Sequence, residues 1–247
     1  MTKTEATLYD IDGGAAWITL NRPDNRNALS QVLVNELHSH LNAAIADPAV
    51  RCIVITGNGP SFCAGADLKN QGKPGSGPTF VDVLKLIVAS EKPVIAAVNG
   101  AAFAGGLGLV GACDIIVSAE DAQFSFSEVR IGVIPAVISV VCVPKLGKHL
   151  ATKLFITGER FNGVQAVDFG LVHRAVPKER LRAAVQEEID MISLGAPHAV
   201  SESKKLVKAA AEPRPLDEAF KEMEAWSKAM FAAPDGQEGM EAFRQKR

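Results

Sequence analysis

The sequence has no concentration of one charge sign: 26 Lys and Arg stand against 28 Asp and Glu, a formal net charge of −2. A phosphate polymer calls for a basic face, so nucleic acid is not an expected partner. Cysteine is scarce. Cys52, Cys63, Cys113 and Cys142 form no C-x-x-C pair, which argues against a disulfide framework or a zinc site and for reduced, buried thiols in a cytoplasmic protein. The five histidines, at positions 38, 40, 149, 173 and 198, show no metal-ligand spacing, so no metal is expected. There is no G-x-S-x-G, hence no support for a hydrolase triad. Met1 to Glu5 carries no apolar core, so no signal peptide is expected.

A membrane span is also missing, although one segment imitates it. Pro93 to Cys113 runs for 21 residues without a charge, about the length that crosses a bilayer. It contains Pro93, Asn99 and five glycines, and reads instead as a buried strand, loop and helix. What remains is an ordinary globular composition, 47% hydrophobic and 22% charged over 247 residues, enough for one large domain or a domain with an appendage.

Alternation from Ala6 to Ile11, a Gly13-Gly14 turn and Trp17 to Leu20 predict a hairpin. Ser30 is placed to cap a helix with its apolar stripe at Leu33, Leu37, Leu41, Ala44 and Ile45, ended by Asp47-Pro48. Buried strands are expected at Arg51 to Thr56, Val94 to Val98 and Ile115 to Val117, and helices at Thr79 to Ser90, from Ala136 onward and at Lys178 to Leu194. Gly72 to Pro78 reads as a mobile loop. Strand and helix alternate, which indicates an α/β class. Between Ser201 and Arg247, 18 of 47 residues are charged with signs that cancel, the pattern of amphipathic helices or an arm that packs on another subunit.

Two strand-to-glycine transitions can carry chemistry: Phe62-Cys63-Ala64-Gly65-Ala66-Asp67 and Ala104-Gly105-Gly106. Small residues let a ligand approach the backbone, and N–H groups at a helix start carry partial positive charge. Two such groups on one oxygen make an oxyanion hole. Gly106, Gly108 and Gly111 also match G-x-G-x-x-G, but seven residues separate the strand from the first of them, which disfavours a dinucleotide loop. Glu128 is flanked by apolar residues, an environment that raises a carboxyl pKa toward proton transfer near neutrality; the alternative is a surface glutamate paired with Arg130.

Six ordered stretches together resemble the enoyl-CoA hydratase/isomerase (crotonase) family over nearly the whole chain: LNRPDNRNAL (20–29), FCAGADLK (62–69), KPVIAAVNG (92–100), CDII (113–116), FITGER (155–160) and GLV (170–172). The resemblance implies a spiral of repeated ββα units over residues 1–194, holding a coenzyme A thioester site. It implies a C-terminal helical trimerisation region at 195–247, with assembly as a homotrimer or dimer of trimers.

Carried over by position, it implies that the N–H groups of Ala64 and Gly105 bind the thioester oxygen and that Glu128 is the acid/base. It implies further that Arg26, Ala66, Asp67 and Leu68 lie along coenzyme A, and that Phe243 and Lys246 reach a neighbouring subunit's coenzyme A. No separate cofactor is implied, because coenzyme A is part of the substrate. The second glutamate of two-carboxylate hydratases falls on Gly108, a departure. Pro135-Ala-Val-Ile-Ser139 is a second departure, similar to a branch acting on branched or carboxylated enoyl-CoAs such as methylglutaconyl-CoA. The first expectation is hydration of a 2-enoyl-CoA to a 3-hydroxyacyl-CoA; the alternatives are a Δ3-Δ2-enoyl-CoA isomerase and a non-catalytic acyl-CoA binding homologue.

Overall fold

In the computed structural model, residues 5–68 and 76–247 are described. The expected Gly72 to Pro78 loop lies outside the described residues from 72 to 75, as does Lys69. By contact density the chain divides into two compact units, 1–190 and 191–247.

The first unit opens with a hairpin, β1 (Thr7–Asp12) and β2 (Ala15–Leu20), turned through Gly13 and Gly14, which both have positive φ. Helix α1 (Gln31–Ala46) follows; the Ser30 hydroxyl accepts from the Leu33 N–H at 3.3 Å, and Leu33, Val34, Leu37, Leu41 and Ala44 face the core. A short connection leads to β3 (Cys52–Gly57) and β4 (Ser61–Cys63), then to α2 (Phe80–Ala89), whose first turn is closed by reciprocal bonds between Thr79 and Asp82. The same order recurs twice: β5 (Val94–Val98), β6 (Ala101–Phe103) and α3 (Gly105–Ala112), then β7 (Ile115–Ala119), β8 (Gln123–Ser125) and α4 (Ala136–Thr157). The unit is completed by β9 (Phe161–Asn162), α5 (Gly163–Asp168), β10 (Arg174–Val176) and α6 (Leu181–Ser193), the last of which crosses into the second unit.

Each repeat sends its longer strand to one sheet and its shorter strand to another. Among the described residues the first sheet has the order β1-β2-β3-β5-β7-β10, parallel throughout except for the β1-β2 pair. The second has the order β4-β6-β8-β9, with β4, β6 and β8 parallel. This is the expected spiral of ββα units. Strands β3 and β5 are buried on both faces and therefore read as continuous apolar runs. The uncharged segment from Pro93 is β5, β6 and α3, as expected of a buried unit; among the described residues no helix is long and apolar enough to cross a membrane.

The G-x-G-x-x-G spacing lies inside α3, where the glycines serve close packing. A Cβ on Gly106 would sit 2.2 Å from the Cys63 carbonyl oxygen, and one on Gly111 would sit 2.7 Å from the Cys142 Sγ. All four cysteines are buried.

In the second unit, α7 (Pro197–Ala210), α8 (Leu216–Ala232) and α9 (Pro234–Gln245) bury no residue fully. Leu216, Phe220, Phe231 and Phe243 are exposed. The Trp226 indole N–H donates to Glu202 at 2.9 Å, tying α8 to α7.

Because the obstacle at Gly106 is a backbone carbonyl that cannot swing aside, Gly106→Ala should destabilise the first unit by about 1–3 kcal/mol. Thermal denaturation should register a Tm lower by several degrees; an unchanged Tm would show that α3 and β4 have room to separate.

Candidate active site

The second sheet ends in a row of turns. β4, β6 and β8 are neighbours in it, and the chain leaving each strand reaches the same end of the sheet. Those exits are the loop from Ala64, the start of α3, and the 3-10 turn Ser127–Ile131 that carries Glu128. The topology therefore gathers residues that are about 40 and 20 positions apart in sequence.

After β4 the backbone turns sharply at Gly65, with φ of +90°. A Cβ there would lie 2.9 Å from the Phe103 carbonyl oxygen and 3.2 Å from the Gly105 nitrogen. Gly65 is thus required twice over, for its left-handed conformation and for the contact with the second glycine turn. After β6, Ala104 adopts φ 48° and ψ −119°, a strained conformation for a residue with a side chain. It is held by its N–H, which donates to the Ser125 carbonyl at 3.0 Å, and by its carbonyl, which accepts from the N–H groups of Leu107 and Gly108. Gly105 is then the first residue of α3. Its N–H has no acceptor among the described residues, as expected of a first helical position, and lies at the positive end of the helix dipole.

The Ala64 expectation is corrected. The Ala64 N–H donates to the Arg26 carbonyl at 3.0 Å, so it is committed to structure and not available to a ligand. One residue on, the Gly65 carbonyl accepts from the Leu29 N–H at 2.8 Å. In a trans peptide the C=O and N–H point in opposite directions, so this bond turns the following N–H, that of Ala66, away from Leu29. Ala66 is exposed, and its N–H has no acceptor among the described residues. Sequence reasoning placed Ala66 at the site for its neighbourhood and missed its N–H, because the selection depends on a bond to a residue 37 positions earlier.

Glu128 sits half-buried in its 3-10 turn, with Oε2 buried and without a hydrogen-bond partner among the described residues. Burial raises its carboxyl pKa above the ordinary glutamate range, and a backbone hydrogen bond only partly offsets this. No ion pair joins it to Arg130, so the surface-pair alternative does not describe it. Its charge reaches Cys142 on α4, whose thiol burial pushes up to about 12. At Gly108 the position of a side chain is already filled: a Cβ would lie 2.5 Å from Ile138 Cγ2 and 3.2 Å from Phe80 Cζ. The position of a second carboxylate is therefore taken by apolar side chains.

Of the residues expected along coenzyme A, Arg26 and Leu68 are exposed. Asp67 is not: it is 6% exposed and its carboxylate takes the Asn25 amide at 3.4 Å and faces Arg22 at 3.8 Å. Its side chain is a structural anchor, so a place for Asp67 along the ligand falls to its backbone. Phe243 is exposed on α9, and Lys246 follows that helix in a left-handed conformation.

A family model described as enoyl-CoA hydratase/isomerase matches residues 10–247. The chain is 35% identical over 250 residues to an enoyl-CoA hydratase of Mycobacterium tuberculosis, covering 97% of this chain and 94% of that one. It is 37% identical over 235 residues to a mitochondrial enoyl-CoA hydratase of Pongo abelii, covering 93% and 81%. A crystal structure of an enoyl-CoA hydratase of Mycobacterium smegmatis superposes with a TM-score of 0.89 at 30% identity, covering 98% and 97%.

The burial of Glu128 has a consequence for stability. Its pKa is raised on folding, so the stability it contributes is complete below the ordinary glutamate pKa and is lost as pH rises through the folded value. Glu128→Gln does not titrate. Its Tm should rise relative to that of the native protein as pH rises across this window, and the difference should be flat on either side; a variant Tm that falls relative to the native one with rising pH would contradict the burial.

Proposed function

The chain belongs to the enoyl-CoA hydratase/isomerase family, and from that premise we propose that it hydrates a 2-enoyl-CoA to the 3-hydroxyacyl-CoA with Glu128 as the single acid/base. The observation that carries this reading is the buried, unpartnered Oε2 of Glu128, a carboxylate with a raised pKa. It stands in a turn adjacent to the paired turns that leave the N–H groups of Ala66 and Gly105 without acceptors.

In the proposed reaction the thioester oxygen accepts hydrogen bonds from the Ala66 and Gly105 N–H groups. Water held by Glu128 attacks C3 as the carboxylate takes one of its protons, and the C2=C3 electron pair moves through the carbonyl to give an enolate. Charge accumulates on the oxygen between the two donors, where fixed dipoles are most effective. Glu128 then returns its proton to C2. One carboxylate can serve both transfers because the proton that it takes from water is the one that it delivers. The cations of Arg26 and Lys246 are the proposed contacts for the coenzyme A phosphates, and exposed Ala66 and Leu68 border the path proposed for its pantetheine. The exposed Leu216, Phe220 and Phe231 support assembly through the helical region, which would bring Phe243 and Lys246 to a neighbouring copy's ligand.

Isomerisation of a 3-enoyl-CoA is the second reading, favoured by the lack of a carboxylate at Gly108, whose side-chain position Ile138 and Phe80 occupy. Glu128 would remove a proton from C2 and return it at C4, and no water would be consumed.

The purified protein, given 2-enoyl and 3-enoyl thioesters in oxygen-18 water, should yield product labelled at the C3 hydroxyl. Conversion without label would select isomerisation, and binding without turnover of any thioester would select the non-catalytic homologue. Glu128→Gln should lower kcat by at least about 10²-fold, as expected for a lost acid/base group; an unchanged rate would move proton transfer to another residue.

A further inference from the structure

The mechanism uses the Ala66 N–H but does not explain what keeps it turned outward. The turn that holds it begins at Arg22 and contains two consecutive residues in the left-handed region, Arg26 with φ 49° and Asn27 with φ 55°. Asparagine tolerates this conformation better than other residues with side chains. Asn27 is fully buried, and its amide joins its own turn to the 58–61 connection between β3 and β4. Oδ1 accepts from the Arg22 N–H at 2.8 Å, while Nδ2 donates to the carbonyls of Asn58 at 3.0 Å and Ser61 at 2.8 Å. Its own N–H donates to the Arg22 carbonyl at 2.9 Å. Ser61 is the first residue of β4, so the bonds from Nδ2 fasten the turn to the strand that leads into Ala64 and Gly65.

On either side of Asn27 the turn grips the loop itself. Arg26 supplies the carbonyl that takes the Ala64 N–H, and Leu29 supplies the N–H that takes the Gly65 carbonyl. Further along, Asn25 and Arg22 hold the carboxylate of Asp67. These contacts bracket Ala66 and set the plane of the peptide that carries its N–H. If the turn shifts against β4, Leu29 loses the Gly65 carbonyl and the peptide is free to rotate, carrying the donor away from its direction.

We propose that Asn27 is a positioning residue for the oxyanion-binding pair: its buried amide locks the 22–29 turn onto β4 and thereby fixes the direction of the Ala66 N–H. The inference rests on the enolate reading above, and Asn27 itself touches neither substrate nor reacting atoms. Aspartate cannot replace it, because a carboxylate would set oxygen against the carbonyl oxygens of Asn58 and Ser61. Glycine keeps the left-handed backbone and deletes the three side-chain bonds.

The test compares Asn27→Gly and Asn27→Asp with the native protein on a 2-enoyl-CoA that it turns over, with KM and kcat separated. It also records the infrared carbonyl stretch of hexanoyl-CoA, carbon-13 labelled at its thioester carbon, bound to each form. Loss of one oxyanion donor costs about 10²–10³ in kcat. A donor held only part of the time should cost at least about tenfold in Asn27→Gly, with KM within about twofold. The bound carbonyl band, displaced to lower frequency in the native protein, should move back toward its free position. A role confined to stability would lower Tm and leave both kcat per folded molecule and the carbonyl band unchanged, and that outcome overturns the proposal. Should Asn27→Asp fail to fold, Asn27→Gly decides alone. No displacement of the band in the native protein would overturn the enolate reading instead, which keeps the two failures distinct.

Discussion

A peptide unit has two polar ends that point opposite ways, and the candidate site is organised around one such unit, between Gly65 and Ala66. The Leu29 N–H takes the carbonyl end at 2.8 Å, so the N–H end must face outward. The remaining geometry is arranged to permit that single bond. Gly65 takes φ of +90° to let the chain turn after β4, and Arg26 and Asn27 take left-handed conformations to bring Leu29 and the Arg26 carbonyl within reach. Ala104 takes a strained conformation so that Gly105 can begin α3 beside Gly65. Conformations of this kind cost about 1–3 kcal/mol each and persist only where the surroundings over-determine them. Here two glycine turns in contact, and a buried asparagine, provide that determination.

The ββα repeat explains why such distant residues converge. Each turn of the spiral adds one short strand to the second sheet, and the strands exit at one end, Cys63 beside Ala102 and Ala102 beside Phe124. Successive repeats then deliver the Ala66 peptide, the Gly105 N–H and Glu128. The first two supply fixed dipoles, and the third supplies a carboxylate whose charged form is disfavoured by burial. A developing negative charge is stabilised by the dipoles, and a proton is exchanged by the acid: the division of labour suits a reaction that passes through an enolate.

Much of the fold was legible. The apolar runs at β3 and β5, the Ser30 cap of α1 and the Thr79 start of α2 all carry local signals that survive in the structure. The second sheet was not legible, because β4, β6 and β8 are three residues each, too short to display a period. At the site, Glu128 and Gly105 could be singled out from composition and helix-start chemistry. The choice between the N–H groups of Ala64 and Ala66 could not, since it is made by hydrogen bonds from the 22–29 turn across more than 30 residues. Asp67 likewise gave no local sign that its carboxylate turns inward to Asn25 and Arg22. The closure of the Gly108 position by Ile138 and Phe80 is a tertiary fact, visible only once α2 and α4 are placed.

The central claim is that one oxygen of the ligand is received by the two N–H groups of Ala66 and Gly105. A crystal structure of the protein with a saturated acyl-CoA tests it most directly. The thioester oxygen should lie within about 3 Å of both nitrogens, with the Ala64 N–H still on the Arg26 carbonyl. A thioester oxygen bound elsewhere, or taken by the Ala64 N–H after release from Arg26, would contradict it.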